Sequence, residues 1–458
     1  MGEELYTLSR VREALQSGTF SAVEIVERTL AEIKDEDAEL HAFVALDEER
    51  ARIDAGHIDA LRAAGAPLGP LAGAPIAIKD LIDVAGLPTK AGSLTRADAP
   101  PASADAPLVA RLRAAGAIII GKTHTVEYAF GGWGINEAVG TPLNPRDRAH
   151  PRTPGGSSSG SAVAVAAGLV PAAIGTDTGG SVRLPASFSG CVGLKTTVGL
   201  IDVGHVVPLA PSFDSIGPLT NSVADAAALL AVLAPPQDDR SSGWSGRLAD
   251  LAKGEIALLE GRRFAVIGNT GIALHSETAR VFSETQTRLR RLGAGVEEIL
   301  LPESLADVSA PLGEILALEA YRLNGRFAEA APNVMDSAVR GRILAGRDIP
   351  AHRLGAIREH REIVKRAFAM IFDRFDAIIS PTTALPAPLI GEHDESASPA
   401  LFTRFVNYLD LAALSLPMGA TPAGLPIGFQ IVVPGLAEPL ALEIGGALEA
   451  DRGDLPLP

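Results

Sequence analysis

The chain has 458 residues, of which 47% are hydrophobic and 21% charged, and its formal net charge is −15. This acidic balance, without any dense block of lysine and arginine, argues against a direct nucleic-acid partner. The single cysteine excludes an internal disulfide and, with the acidic start MGEELY, predicts a cytoplasmic protein. No apolar stretch is long enough to cross a membrane, and the scattered histidines form no ligand pattern, so we expect no membrane partner, metal or cofactor.

The first 70 residues are predicted to form a helical layer. Helical periodicity covers residues 8–18 and 21–35. Ser21 and Glu24 have the spacing of a capping box, in which each side chain binds the backbone of the other residue. The second of these helices is therefore predicted to begin at Ser21.

From residue 71 the pattern changes to short apolar runs that follow turn residues. A strand is predicted at 74–80, a helix at 104–116 and a strand at 117–123. Such alternation favours a sheet wrapped by helices. We treat residues 71–233 as the core of the fold.

The polar, turn-rich segment 234–246 is predicted to be an excursion within one fold. Residues 234–458 then complete the sheet and the substrate pocket, with predicted strands at 262–269, 294–302, 376–383 and 425–433 and helices at 275–293, 313–330 and 353–375. The expected fold is α/β, with one large mixed sheet covered by helices on both sides. Residues 1–458 are expected to form a single domain.

Two short motif matches fail on their structural context. Residues 116–123, GAIIIGKT, fit the phosphate-loop pattern, but the four residues that should form the loop are the predicted strand itself. A P-loop nucleotide-binding protein is therefore a remote alternative. Residues 156–160, GSSSG, fit the nucleophile elbow of α/β-hydrolases, but the preceding segment contains Pro151 and Pro154 and is not a central strand.

Three other segments place polar groups at positions expected to be buried. The Gly/Ser segment 154–161 runs into an Ala/Val stretch, which predicts serines at the start of a buried helix. In GTDTGGS, residues 175–181, the glycines allow N–H groups to converge beside Ser181 Oγ, although a simple tight turn has the same composition. Lys79 follows four apolar residues, and burial pushes a lysine toward the neutral form, which can accept a proton.

Together these segments resemble the amidase signature family. Its hallmark is a serine-rich glycine segment followed by D-x-G-G-S, with a lysine well upstream. The resemblance is dense over 154–195 and looser over about 20–230 and 376–433. It implies that Ser181 is the nucleophile, that Ser157 relays the proton and that Lys79 is the final base, with an acyl-enzyme as intermediate.

The resemblance also implies the supporting parts of the site. The peptide bond between Gly156 and Ser157 is expected to be cis, and an oxyanion hole is expected from the backbone N–H groups of Thr178, Gly179, Gly180 and Ser181. Thr176 and Ser158 are candidates for hydrogen bonds around the relay. Asp177 and Arg183 are predicted to brace the loop as an ion pair.

The loop at 128–140, YAFGGWGINEAVG, differs from the serine-rich, Asn-containing loop usual in the glutaminase subunits of tRNA amidotransferases. Its aromatic residues either wall an apolar pocket or pack within the loop, and the candidate substrate contacts are Phe130, Gly131, Gly132, Trp133 and Ser158. We therefore expect a hydrolase of a small amide, carbamate or urea-like substrate. The alternative is a glutaminase A subunit that supplies ammonia to a partner; a homodimer is left open.

Overall fold

The computed structural model of the chain describes residues 5–234, 243–330 and 333–453. The described helices are α1 Leu8–Ser17, α2 Ala22–Leu40, α3 Glu48–Ala63, α4 Pro107–Ala114, α5 Ser159–Ala166, α6 Arg183–Ser189, α7 Val223–Leu233, α8 Trp244–Leu251, α9 Ser276–Arg291, α10 Leu305–Ala330, α11 Ser337–Leu344, α12 Ala351–Phe372, α13 Arg404–Tyr408 and α14 Glu438–Arg452. The described strands are β1 Phe43–Leu46, β2 Pro75–Lys79, β3 Ile118–Thr123, β4 Ala172–Asp177, β5 Val192–Lys195, β6 Ser215–Thr220, β7 Arg263–Ile267, β8 Gly295–Ile299, β9 Ala377–Pro381, β10 Ala412–Ala420 and β11 Pro426–Val433.

All of these strands join one sheet in the order β1-β3-β2-β4-β6-β5-β10-β11-β9-β7-β8. Strand β2 pairs in parallel with β3 and β4, and β7 pairs in parallel with β8 and β9. The remaining pairs are antiparallel. The sheet is therefore mixed, and β5 and β10 join the strands of the first half of the chain to those of the second.

The two faces of the sheet bury separate apolar clusters. In β11, Ile431 and Val433 belong to one cluster and Val432 to the other, as expected from alternation along a strand. The first cluster includes residues of α2, α5, α7 and α14, and the second includes residues of α10, α11, α12 and α13. Helices thus cover both faces, which confirms the predicted fold class.

The N-terminal layer contains more than helices. The capping box of α2 is confirmed, because Ser21 Oγ accepts the N–H of Glu24 and the Glu24 carboxylate accepts the N–H of Ser21. However, α2 extends to Leu40, past the predicted end at residue 35. After it, β1 pairs antiparallel with β3 and forms an edge of the sheet. Sequence patterns missed this four-residue strand because none of its residues is fully buried.

The phosphate-loop alternative is wrong. The residues that a phosphate loop would need belong to strand β3, which runs through Gly121 to Thr123 and matches the strand predicted at 117–123. A Cβ at Gly121 would lie 2.2 Å from the carbonyl oxygen of Ala45, so glycine allows β1 to approach. Lys122 is fully buried and pairs with Asp80 at 2.9 Å, so its ammonium group is already neutralised by a carboxylate.

Other boundaries also shift. The apolar stretch 162–175 holds the end of buried helix α5 and then most of β4. Helix α10 begins at Leu305, eight residues before its predicted start. Most of the polar excursion, residues 235–242, lies outside the described residues. Within the described ranges, no helix combines the length and the apolar character that a membrane crossing would need.

Candidate active site

The site is assembled where two parallel neighbours, β2 and β4, reach their carboxyl ends. Ile78 is in register with Ile174, so Lys79 at the end of β2 and Thr176 near the end of β4 lie side by side. Both strands are fully buried. The pairing therefore brings a lysine and a hydroxyl group, 97 positions apart in the chain, into contact at the carboxyl ends of these two strands.

Lys79 is held between two hydroxyl groups. Its Nζ atom donates hydrogen bonds to Ser157 Oγ at 2.7 Å and to Thr176 Oγ1 at 2.8 Å. The side chain is completely buried. Burial lowers the pKa of Lys79 from 10.5 to about 7, although Asp177 and Asp214 act in the opposite direction. A large fraction of Lys79 is therefore neutral at neutral pH.

The Gly/Ser segment brings its serines against β4 and the D-x-G-G-S turn. The Gly156–Ser157 peptide bond is cis, as the resemblance implied. Ser158 Oγ accepts the N–H of Thr176 at 3.3 Å and donates to its carbonyl at 3.2 Å. The N–H of Ser158 donates to the carbonyl of Ser181 at 3.2 Å. Ser158 therefore ties together the two segments that carry Ser157 and Ser181.

Ser181 faces a cavity of about 400 Å³. Ser181 keeps 7% exposure as a residue, whereas Ser157 and Lys79 have none, so Ser181 is the member of this group that a solute can reach. Phe130, Gly131, Gly132 and Trp133 line the same cavity. Among the described residues that form the lining, Ser158 does not appear, so its expected contact with substrate is corrected to a supporting role.

Trp133 combines the two alternatives considered for the aromatic loop. It lines the cavity, and it also stacks on Phe188 with ring centroids 6.1 Å apart. Its Nε1–H donates to the carbonyls of Asp394 and Ala397. The loop is thus packed in place and presents a fixed wall to the cavity.

A buried ion pair braces the D-x-G-G-S turn at residues 177–181, which is called the nucleophile turn below after the expected role of Ser181. Arg183 Nη2 lies 2.9 Å from Asp177 Oδ1, and both side chains are fully buried. Burial alone would raise the pKa of Asp177, but Arg183 and, to a smaller extent, Lys195 hold it well below its usual range. Asn407 donates a further hydrogen bond to Asp177 Oδ1 at 2.9 Å. The carboxylate therefore stays charged.

The two glycines of the turn have different surroundings. Gly180 has φ of +137°, and a Cβ there would lie 2.2 Å from Thr403 Oγ1, so only glycine fits. A Cβ at Gly179 would meet Leu316 Cδ1 at 3.7 Å, an ordinary contact. The N–H of Gly180 donates to Asp177 Oδ1 at 2.8 Å. This N–H is therefore engaged by Asp177, whereas we had expected it in the oxyanion hole, and the N–H groups of Thr178, Gly179 and Ser181 remain the candidates for that role.

Residues from the second half of the chain hold this turn, and sequence analysis missed them. Thr403 Oγ1 donates to the carbonyl of Gly179 at 2.7 Å. Arg183 donates to the Gln430 side chain at 2.8 Å and to the Asn407 side chain at 2.6 Å. No local signal marks these residues, because their role arises only from pairing across the sheet.

If cavity volume alone were considered, the site would be placed elsewhere. A larger cavity, of about 790 Å³, lies between the N-terminal helix and α14, where Tyr6, Arg146 and Glu449 line it. Neither Ser181 nor the aromatic loop borders it. We place the site at the smaller cavity because a reachable hydroxyl and a lysine of lowered pKa lie there. Within the described ranges, no three histidine, cysteine or acidic side chains form a group that could hold a metal ion.

Comparisons with known proteins agree with this arrangement. The family model described as Amidase matches residues 24–442. The A subunit of glutamyl-tRNA(Gln) amidotransferase from Symbiobacterium thermophilum (strain DSM 24528 / JCM 14929 / IAM 14863 / T) is 37% identical, over 97% of this chain and 96% of that protein.

Two solved structures show the same fold. One, described as "An unexpected vestigial protein complex reveals the evolutionary origins of an s-triazine catabolic enzyme", matches with a TM-score of 0.89 and 31% identity, over 99% of this chain and 100% of that chain. Native peptide amidase from Stenotrophomonas maltophilia matches with a TM-score of 0.82 and 29% identity, over 97% of this chain and 96% of that chain. The chain therefore belongs to the amidase signature family of hydrolases that act on carbon–nitrogen bonds other than peptide bonds.

Proposed function

We propose that this protein is a cytoplasmic serine amidohydrolase that cleaves the C–N bond of a small carboxamide, carbamate or urea-like substrate. The observation that carries the proposal is the hydrogen bond of 2.7 Å between Ser157 Oγ and the fully buried Lys79. A lysine with a pKa of about 7 can serve as a base at neutral pH without a histidine. Ser181, at the cavity, is the proposed nucleophile.

The proposed reaction passes through an acyl-enzyme. Ser181 Oγ attacks the carbonyl carbon, its proton moves to Ser157 Oγ, and the Ser157 proton moves to Lys79 Nζ. The same path returns a proton to the nitrogen as the C–N bond breaks. Water then attacks the ester on Ser181, and the relay works again as base and acid to release the acid product.

The oxyanion formed in each step is assigned to the N–H groups of Thr178, Gly179 and Ser181. Preorganised donors of this kind are each worth about 2.7–4 kcal/mol of transition-state stabilisation. Thr178 Oγ1 donates to Asp214 Oδ1 at 2.6 Å, which fixes the first residue of the turn. Thr403 fixes the carbonyl of Gly179. These bonds support a turn whose donors need no rearrangement during the reaction.

Mass spectrometry of the intact protein tests the proposal. The purified chain is mixed with a panel of amides, carbamates and esters, and peptide mapping locates any acyl adduct. We expect the adduct on Ser181 and loss of both adduct and turnover in Ser181→Ala. The matched control is Ser17→Ala, a change in the exposed last residue of α1, which should leave both unchanged. Turnover that survives Ser181→Ala contradicts the proposal.

A second candidate is the glutaminase component of a tRNA-dependent amidotransferase. It is favoured by the relatives, of which one is 37% identical and carries the name of such a component. The two candidates differ in what the isolated chain does. Hydrolysis of simple amides by the purified chain alone supports the first, whereas glutamine hydrolysis that appears only with partner proteins and acceptor tRNA supports the second.

A further inference from the structure

We propose that the substrate carries a carboxylate in addition to its scissile amide, and that Arg404 binds this carboxylate. The inference rests on the proposed function and narrows its substrate class. It is argued from the position of one arginine in the cavity, and from the fact that the neighbouring charged side chains are already paired with each other.

Arg404 is the first residue of α13 and lines the cavity that Ser181 also lines. Its side chain extends from the nucleophile turn toward α10. A Cβ built at Gly179 would lie 4.0 Å from Arg404 Cγ, and one built at Gly313 would lie 3.9 Å from Arg404 Nη1. The guanidinium group is therefore within reach of a molecule whose carbonyl carbon is bonded to Ser181.

Arg404 differs from the other arginines of the site. Arg183 is paired with Asp177, and Arg342 is paired with Glu395 and donates to the carbonyl of Phe130 at 2.7 Å. Among the residues that the structure describes, the guanidinium of Arg404 has no hydrogen-bond or ion-pair partner. Burial and the nearby charge of Arg342 lower the pKa of Arg404 below its ordinary value. Arg404 is half-buried. A half-buried cation without a protein partner has lost part of its hydration, and a bound anion would compensate for that loss.

The charges around the cavity favour an anionic group on the substrate. Glu395, the acidic residue of the described lining, is already neutralised by Arg342 and also contacts His393 Nε2 at 3.0 Å. Apolar side chains, such as those of Leu184 and Leu316, form much of the remaining wall. Arg404 thus gives the cavity an uncompensated positive charge. A planar guanidinium group matches a carboxylate through two parallel hydrogen bonds.

Matched substrates test this inference. The probes are malonamate, succinamate and glutaramate, each compared with the neutral amide of equal length: propionamide, butyramide or valeramide. We expect the preferred acid amide to exceed its neutral partner in kcat/KM by about 10- to 100-fold, the range expected for hydrogen bonds to a charged group. Arg404→Met, which keeps an unbranched apolar stem, should abolish this preference, because kcat/KM should fall about 10- to 100-fold more for the acid amide than for its neutral partner.

Two variants serve as controls. Arg404→Lys keeps the charge but loses the two-pronged geometry. Compared with Arg404→Met it should recover part of the preference for the acid amide, and its remaining defect relative to wild type should appear mainly as a raised KM for that substrate. Arg358→Met removes a positive charge from an exposed position on α12 and should change nothing. Labelling of Ser181 by a neutral sulfonyl fluoride, which forms a sulfonate ester and releases fluoride, shows whether the site of Arg404→Met is still assembled.

Binding separates the inference from the catalytic proposal. In a Ser181→Ala background, calorimetry with the preferred acid amide should show binding that Arg404→Met weakens about 10-fold or more. Equal use of acid and neutral amides, or an equal loss of both in Arg404→Met while Ser181 still reacts, overturns the role of Arg404 and leaves the serine mechanism standing. Wild-type protein that neither binds nor hydrolyses any of the acid amides also overturns it. Turnover without Ser181 overturns the mechanism instead.

Discussion

Thr176 places its hydroxyl oxygen 2.8 Å from Lys79 Nζ across the parallel pair of β2 and β4. Ser157 Oγ approaches the same nitrogen at 2.7 Å. When Lys79 loses a proton, one N–H can stay directed at Thr176, and the lone pair can then accept the Ser157 hydroxyl in place of the hydrogen bond that the ammonium donates to it. Thr176 is therefore a positioning residue for the proposed base.

Thr176→Val should keep the shape of the strand and remove this hydrogen bond. We expect kcat to fall by about 2- to 10-fold, as for the loss of a hydrogen bond worth about 0.5–1.5 kcal/mol, with KM unchanged. The acceptor also stabilises the charged form of Lys79, so its loss should move the pH midpoint of activity downward. Steady-state kinetics across pH checks both effects. Rescue by Thr176→Ser distinguishes positioning from packing, and an unshifted midpoint contradicts the role.

The pH dependence of kcat/KM should follow Lys79. Because the neutral amine is the proposed base and its pKa is about 7, activity should rise as pH increases through about 7 and then level off. Lys79→Met should lower kcat/KM by about 10²- to 10⁴-fold and remove this limb. Lys253→Met, at an exposed site, is the control. Near-native turnover of Lys79→Met at neutral pH would show that another group takes the proton.

The two glycines of the nucleophile turn should respond differently to alanine. Gly180→Ala forces a side chain into a left-handed backbone and against Thr403, so we expect a loss of stability of about 1–3 kcal/mol and little activity. Gly179→Ala places its methyl group in ordinary contact with Leu316 and should fold normally. Thermal unfolding of the pair measures the contrast. Equal melting temperatures would contradict the turn geometry.

The ion pair of Asp177 and Arg183 should contribute to stability as well as to the turn. Asp177→Asn leaves Arg183 buried without its carboxylate, and we expect a cost of about 3–5 kcal/mol, compared with at most about 1 kcal/mol for Asp250→Asn at the exposed pair with Lys253. The pKa of the Asp177 carboxyl group is lower in the folded protein than in the unfolded chain. Its contribution to the free energy of unfolding is therefore complete at pH values above the unfolded pKa of about 3.9, and it is lost as the pH falls further.

Denaturant titrations at several pH values measure both effects. The difference between wild type and Asp177→Asn should stay constant from neutral pH down to about 5 and shrink in more acidic solution. A difference that grows on acidification would mean that the carboxyl group is protonated in the folded protein.

Lys79, Ser157 and Ser181 could be singled out from the sequence because each lies in a short apolar or Gly/Ser-rich segment that predicts burial, while their roles were implied by the resemblance to the family and remain proposals. Arg404 could not, since FTRFVNY has no unusual composition and its meaning depends on the cavity wall opposite. Strand β6 was missed for a related reason. It contains Gly217 and Pro218, which lower strand propensity, yet it pairs on both sides, and a Cβ at Gly217 would lie 2.1 Å from the Leu194 carbonyl.

The hydrogen bonds from Arg183 to Thr403, Asn407 and Gln430 join residues 220 to 247 positions apart. During synthesis, the segment with Ser157 and Ser181 leaves the ribosome long before these partners exist. A nascent chain therefore carries every residue of the proposed relay without the scaffold that aligns them. We therefore expect a chain truncated before β11 to be inactive, because it would lack Gln430 and with it part of the support of Arg183, even though it would contain every residue of the proposed relay.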